Sequence, residues 1–320
     1  MKPKAIVYKK VDQKVLDYIS ETCDVVSFEK LDSDTLPHFY EELIDAHGIL
    51  GSGLKVNKEL LDHAPQLKIV CNTSVGYDNL DMEEISARGI TATNTPDVLN
   101  DTVADTMFGL LLATARRIPE MDQLVKTGQW KSMIGENLFG VDVHHKVLGI
   151  IGMGGVGNAI AKRAHFGFDM QILYHNRSHN EFAEKVFGAT YCSLDELLQQ
   201  SDYVCLMTPL TPETENLMGK REFELMKNTA IFINGSRGKT VDEQALVHAL
   251  ETGEILAAGL DVFVQEPVQQ DHPLLSLKNV VTLPHIGSAT YETRYKMAML
   301  AAKNLVTGLS GETPPNTIRK

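Results

Sequence analysis

Cysteine is scarce in this chain: four residues in 320, Cys23, Cys71, Cys192 and Cys205, stand far apart with no CxxC pair. That excludes a disulfide framework or a cysteine zinc site and reads as small apolar side chains in a reducing compartment. Positive charge is also short, with 30 Lys and Arg against 42 Asp and Glu, a net charge of −12 and no basic block. Such a balance opposes nucleic-acid partners, and an anionic small molecule would have to be held by local groups. Long apolar runs are missing too. The longest uncharged stretch of the most apolar region, Thr106 to Ala115, falls well short of the ~20 residues a membrane span needs. The start, MKPKAIVYKK, runs into a strand-like segment instead of an apolar signal core, and no internal repeat or low-complexity tract is found. The expectation is a cytoplasmic protein without membrane or nucleic-acid partners.

What is present is a regular alternation. Ala5 to Tyr8, Val25 to Phe28, Gly48 to Gly51 and Lys68 to Cys71 are short apolar runs of the kind buried parallel strands show, with helix-like segments such as Val11 to Ser20 and Thr35 to Ala46 between them. A second, longer series follows: Lys146 to Ile151, Gln171 to Tyr174, Tyr203 to Met207, Ala230 to Asn234, Ala257 to Val262 and Val280 to Leu283. The pattern predicts an α/β fold with two doubly wound parallel sheets. Between the series, Pro96 to Ile118 carries Leu99, Val103, Met107, Leu110, Leu111 and Thr114 at helical spacing. Such a helix would join the domains as a buried connector or also serve a subunit contact. Tyr291 to Leu309 reads as a final helix that packs back on the first domain.

The strand ending at Ile151 runs into Gly152-Met153-Gly154-Gly155-Val156-Gly157, followed by the apolar stripe Val156, Ile160, Ala164. Between a strand and a helix, this spacing is a dinucleotide-binding loop: Gly152 for the tight turn, Gly154 for close backbone approach to a pyrophosphate, Gly157 for helix–sheet packing. The next strand ends in Asn176-Arg177-Ser178, with no carboxylate to hold a ribose 2′-hydroxyl. Arg177 and Ser178 suit a 2′-phosphate, so NADP(H) is preferred over a still possible NAD(H); Arg177 as a solvated surface charge is the alternative.

In open α/β sheets ligands gather outside the carboxyl ends of the strands. Three residues there draw attention: Arg237 in Asn-Gly-Ser-Arg-Gly, Glu266 in Asp-Val-Phe-Val-Gln-Glu-Pro, and His285 in Pro-His-Ile-Gly-Ser-Ala-Thr. Carbonyl reduction needs a proton donor, for which His285 is suited; Glu266 would orient and charge it, and Arg237 would hold a substrate carboxylate. The bland alternative, an Arg237–Glu266 ion pair beside a structural histidine, stays open.

The chain resembles the D-2-hydroxy-acid dehydrogenase family along almost its whole length, and within it the glyoxylate/hydroxypyruvate/2-ketogluconate reductases. The likeness is carried by Ser74-Val-Gly-Tyr-Asp-Asn-Leu-Asp81, Thr102-Val-Ala-Asp-Thr106, Asp142-Val-His-His-Lys146, the glycine loop, Asn234-Gly-Ser-Arg-Gly238, Asp261-Val-Phe-Val-Gln-Glu-Pro267 and Pro284-His-Ile-Gly-Ser-Ala-Thr290. The resemblance implies His285 as acid/base, Glu266 as its partner and Arg237 as the substrate-binding arginine. It implies that Val75 and Gly76 present amides to the substrate carboxylate with Gly53 and Leu54 close by. It places Asp261 on the nicotinamide carboxamide, Thr102 at the cofactor phosphates, and Thr208 with Pro209 on the adenosine side. It further implies a flavodoxin-like substrate domain of residues 1–98 plus 288–320 and a Rossmann cofactor domain of residues 99–287. Between them would lie a cleft hinged near residues 98 and 287, and the cofactor domains would build a homodimer. Many relatives carry Arg where Gly155 stands, which removes one anion contact. His144 and His145, as sequence neighbours, do not converge on one site, and no metal is expected. Trp130 reads equally as a partner contact or as packing. The competing readings are a dinucleotide-sensing interaction protein akin to the corepressors of this fold, a methyltransferase sharing only the glycine loop, and a phosphoglycerate or formate dehydrogenase.

Overall fold

The computed structural model describes residues 2–319. The chain forms two compact units, Met1–Leu99 with Ala289–Lys320, and Asn100–Ser288.

The first unit holds strands β1 (Lys4–Val7), β2 (Asp24–Ser27), β3 (Gly48–Gly51), β4 (Ile69–Asn72) and β5 (Thr91–Thr93). They form one parallel sheet in the order β2-β1-β3-β4-β5. Side chains alternate across it, as a period of two requires. Ala5, Val7, Leu50, Ile69 and Cys71 face one way, into a core with Ala301, Ala302 and Leu305 of the helix Tyr291–Leu309. Ile6, Ile49 and Val70 face the other, against Phe39, Leu43, Leu60 and Leu61. With both faces covered, the central strands must be apolar throughout, which is why they stand out as short hydrophobic runs. The last helix lies tight on the sheet: a Cβ on Gly48 would stand 2.5 Å from the Leu305 side chain.

The second unit holds β6 (Val147–Ile151), β7 (Gln171–His175), β8 (Thr190–Tyr191), β9 (Tyr203–Leu206), β10 (Ile231–Asn234), β11 (Ala257–Leu260) and β12 (Val280–Thr282). This parallel sheet runs β12-β11-β10-β9-β6-β7-β8, so the winding reverses between β6 and β9. Its central strands are likewise fully buried, packed on Leu197, Phe223, Leu246 and Leu250.

The long helix differs from expectation. It spans Asn100–Ala115, and a separate helix, Ile118–Lys126, begins after Arg117 takes a left-handed conformation (φ 54°) with Pro119 in the following first turn. The Arg117 guanidinium holds that break through Glu120 (Nε to Oε2, 2.8 Å) and the Asn137 carbonyl (2.6 Å). Strands β5 and β8 add to the expected set; both lie at sheet edges and are short and threonine-bearing. Among the described residues no helix is long and apolar enough to cross a membrane.

Candidate functional site

The reversal of strand order in the second unit opens a crevice between the ends of β6 and β9, where such sheets bind ligands. Gly152 follows β6 and Thr208 follows β9, and the two loops press together. Gly152 has φ 101°, and a Cβ there would meet the Met207 carbonyl carbon at 2.8 Å and the Thr208 nitrogen at 2.9 Å, so only glycine fits. A Cβ on Gly157 would stand 2.5 Å from the Gly152 oxygen, which ties the helix Gly155–Phe168 closely to the turn. Gly154, at the helix N-cap, makes no side-chain cap, and space for a Cβ beside it is open. The first-turn amides thus point to an uncrowded face with the helix's partial positive charge behind them. Thr208 Oγ1 is buried with no hydrogen-bond partner among the described residues. A buried orphan hydroxyl beside an open helix N-terminus fits a polar ligand such as a pyrophosphate.

Within the loop, a Cβ on Gly155 would lie 2.5 Å from the Asn100 side chain. Asn100 occupies that space. A residue that sequence reasoning missed braces the loop: Asn180 donates to the Met153 carbonyl (2.9 Å) and to Asn158 Oδ1 (3.2 Å) while capping the helix Glu181–Phe187. Its N-cap position was visible locally; the glycine loop as its second partner was not.

At the end of β7, Arg177 and Ser178 are exposed and Asn176 half-buried. The Asn176 carbonyl accepts from Tyr191 Oη (3.2 Å), and below it Tyr174 Oη donates to Glu184 (2.6 Å), as does the Asn180 amide to Tyr174 (2.8 Å). This network fixes the turn and leaves the Arg177 and Ser178 side chains outward. Pro209 is likewise exposed after Thr208, and Thr102 lies half-buried in the first turn of the helix Asn100–Ala115, its carbonyl accepting from Thr106 (3.1 Å).

The ends of β10, β11 and β12 bring the cation, carboxylate and imidazole together. A Cβ on Gly238 would fall 1.9 Å from the Phe263 carbonyl carbon, so the loop carrying Arg237 lies directly against the loop carrying Glu266. His285 Nδ1 is 2.7 Å from Glu266 Oε2, and the Phe263 amide donates to Oε1 at 3.0 Å. Burial works against ionising Glu266, but the His285 hydrogen bond, the Phe263 amide and the charges of His285 and Arg237 hold its carboxyl below the usual value. A carboxylate so held orients the ring through Nδ1, so that Nε2 is the ring nitrogen outside that bond. Arg237 is half-buried and donates to the Ser236 carbonyl at 2.8 Å, and Asn234 shapes its turn by donating to the Arg237 carbonyl (3.1 Å).

Asp261 is 2% exposed. Its two oxygens accept from the amides of Ile286 (2.7 Å) and Gly287 (2.8 Å), the residues after His285. His285 itself has φ 55°, a strained value for a side-chain-bearing residue, and the Asp261 clamp is what sustains it. Burial raises the Asp261 carboxyl above the usual range although the two amides pull it down.

In the first unit, Asn79, itself held by Asn72 at the end of β4, joins the loops after β3 and β4 to one another. Asn72 Nδ2 donates to Ser74 Oγ (2.8 Å), the Gly76 carbonyl (2.9 Å) and Asn79 Oδ1 (3.1 Å), and Asn79 Nδ2 donates to the Leu54 carbonyl (2.8 Å). Asn94 holds the Val75 carbonyl at 2.9 Å. With those carbonyls fixed inward, Val75 and Gly76 sit in a rigid turn beside Gly53, which has φ 82°, and Leu54. The cysteines take no part: burial pushes the Cys71 and Cys205 thiols up to about 12.

A family profile described as D-isomer specific 2-hydroxyacid dehydrogenase, NAD binding domain, matches residues 108–287. The chain is 51% identical over 318 residues to a glyoxylate/hydroxypyruvate reductase B of Klebsiella pneumoniae, covering 99% of this chain and 98% of that one. Among solved structures, it is similar to an NADPH-dependent glyoxylate/hydroxypyruvate reductase of Sinorhizobium meliloti in complex with NADP and malonate. That likeness has a TM-score of 0.87 at 35% identity and covers 99% and 97% of the two chains. A protein of Thermus thermophilus matches with a TM-score of 0.91 at 39% identity, covering 99% and 100%.

Proposed function

The chain belongs to the D-isomer specific 2-hydroxyacid dehydrogenase family, and on that premise we propose that it reduces small 2-oxo acids, glyoxylate and hydroxypyruvate foremost, to D-2-hydroxy acids with NADPH. The observation that carries this reading is the Glu266–His285 pair at 2.7 Å, with the Arg237 loop packed against it.

The cofactor, when bound, supplies a hydride to the carbonyl carbon. Gly152 to Gly157, Thr102, Thr208 and Pro209 would hold its phosphates and adenosine side, and Asp261 its carboxamide through lone pairs not used by the two amides. His285, oriented by Glu266, delivers the proton to the carbonyl oxygen. Arg237 draws a substrate carboxylate and polarises the carbonyl. In the first unit, the Val75 and Gly76 amides would bind a carboxylate. Arg237→Ala is expected to raise the Michaelis constant for the 2-oxo acid as well as lower kcat, at least tenfold in kcat/KM; an effect on neither removes it from the site.

NADP(H) preference rests on Arg177 and Ser178 at the exposed end of β7 and the lack of a carboxylate there. Arg177→Ala is expected to raise the Michaelis constant for NADPH about tenfold while leaving that for NADH nearly level. Equal constants for the two cofactors in the unaltered enzyme would overturn the preference. A cytoplasmic homodimer built on the second unit completes the reading, supported by the exposed apolar side chains of Trp130, Met133, Ile134 and Phe139 after the helix Ile118–Lys126.

The deciding assay follows NADPH and NADH oxidation with glyoxylate, hydroxypyruvate, 2-ketogluconate, pyruvate and 3-phosphohydroxypyruvate. Turnover of one of the first three, faster with NADPH, supports the reading. Turnover of 3-phosphohydroxypyruvate alone favours a phosphoglycerate dehydrogenase, and silence throughout favours a dinucleotide-sensing interaction protein.

A further inference from the structure

The sheet of the first unit, ordered β2-β1-β3-β4-β5, has its own reversal of winding between β1 and β3. Ligands collect at such a switch point, outside the strands' carboxyl ends. The residues that emerge there are Lys9, just past β1, and Ser52, just past β3, and they are in contact: Lys9 Nζ donates to Ser52 Oγ at 2.7 Å. Ser52 directly precedes Gly53 and Leu54, and the Leu54 carbonyl is bonded to Asn79 of the Val75–Gly76 loop. The switch point is therefore continuous with the turn assigned to the substrate carboxylate.

Lys9 is placed unlike its neighbours. Lys4 pairs with Glu42 at 2.7 Å and Lys10 with Glu29 at 3.1 Å. Half-buried Lys9 makes no ion pair among the described residues, and its ammonium spends one of three donors on the Ser52 hydroxyl. The nearby charge is of the same sign: burial, together with the Arg294 guanidinium in the helix Tyr291–Leu309, holds the Lys9 ammonium below its usual value. A half-buried cation lacking a carboxylate is costly unless something rich in acceptor oxygens comes to it.

We propose that Lys9, with Ser52, is a second substrate subsite that binds oxygen atoms carried on the far end of a 2-oxo acid longer than hydroxypyruvate. The proposal rests on the reading that Val75 and Gly76 take the 2-oxo acid's carboxylate. One strand, β3, separates β1 from β4, so the two subsites stand roughly 10 Å apart at two strand spacings. Glyoxylate and hydroxypyruvate are too short to engage both, whereas a five- or six-carbon 2-oxo acid, met by the long Lys9 side chain, spans the gap. The shared chemistry is an acceptor oxygen, offered by a distal hydroxyl or by a distal carboxylate.

The test compares kcat/KM for glyoxylate, 2-ketogluconate and 2-oxoglutarate in the unaltered enzyme, Lys9→Met and Lys9→Arg. Lys9→Met is expected to lower the ratio of the favoured longer acid to glyoxylate about tenfold or more, mainly through KM, with Lys9→Arg restoring most of it. A loss confined to 2-ketogluconate identifies hydroxyls as the ligand, and one confined to 2-oxoglutarate a carboxylate. An unchanged ratio, or an equal loss with all three acids, overturns the subsite. Turnover of glyoxylate with neither longer acid removes the subsite alone, while turnover of none removes the proposed function with it.

Discussion

Replacing His285 with alanine is expected to lower kcat for 2-oxo acid reduction about a hundredfold or more while NADPH still binds. The expectation rests on geometry that serves one nitrogen. Nδ1 is committed to Glu266 at 2.7 Å, and Glu266 is itself fixed by the Phe263 amide at 3.0 Å. The ring is therefore oriented by a carboxylate that is itself held below its usual value. Alanine removes the proton donor without disturbing the glycine loop after β6, so fluorescence titration with NADPH should report near-normal affinity beside the collapsed kcat. An unaltered kcat would show that another group protonates the substrate and would return the pair to a structural role. Loss of NADPH binding with the activity would mean that the β12 end supports the cofactor crevice instead.

The second large effect is expected from Asp261→Ala, in stability and activity at once. Asp261 is 2% exposed, and its carboxylate is the acceptor for the amides of Ile286 and Gly287. Removing it strands two N–H donors at a buried site. Each costs about 1–3 kcal/mol, and at ~2–4 °C per kcal/mol for a unit of this size the melting temperature should fall by roughly 5–20 °C. The same amides hold the backbone on which His285 keeps a left-handed φ of 55°, so kcat should drop even below the melting transition. Asp261→Asn should recover only part of either loss, because its amide group turns a donor toward one of the two N–H groups. Scanning fluorimetry and steady-state kinetics on both variants check this. If Asp261→Ala melted and turned over like the unaltered enzyme, water would be replacing the carboxylate and the clamp would have no mechanical role.

Much of the architecture was legible from residue order. The central strands of both sheets are buried on two faces, so Gly48–Gly51 or Tyr203–Leu206 can only be apolar runs, and the glycine loop announces itself because a turn, a close approach and a helix start are all local demands. The final helix Tyr291–Leu309 was visible from its periodicity. Arg237, Glu266 and His285 could be chosen because polar residues after late parallel strands emerge at the ligand-binding edge. Their meeting followed from the resemblance and not from periodicity or spacing. It depends on Gly238 letting one loop lie on another and on strands that are neighbours in the sheet while far apart in sequence. The same reason hid the break at Arg117, the edge strands Thr91–Thr93 and Thr190–Tyr191, the brace from Asn180, and the clamp from Asp261, whose sequence neighbours gave no sign of Ile286 and Gly287. Lys9 carried no local signal in the sequence. Periodicity and turn chemistry act over a few residues and are written in the sequence; which cation lacks a carboxylate, and which carboxylate holds an imidazole, is decided by through-space neighbours that only the folded chain brings together.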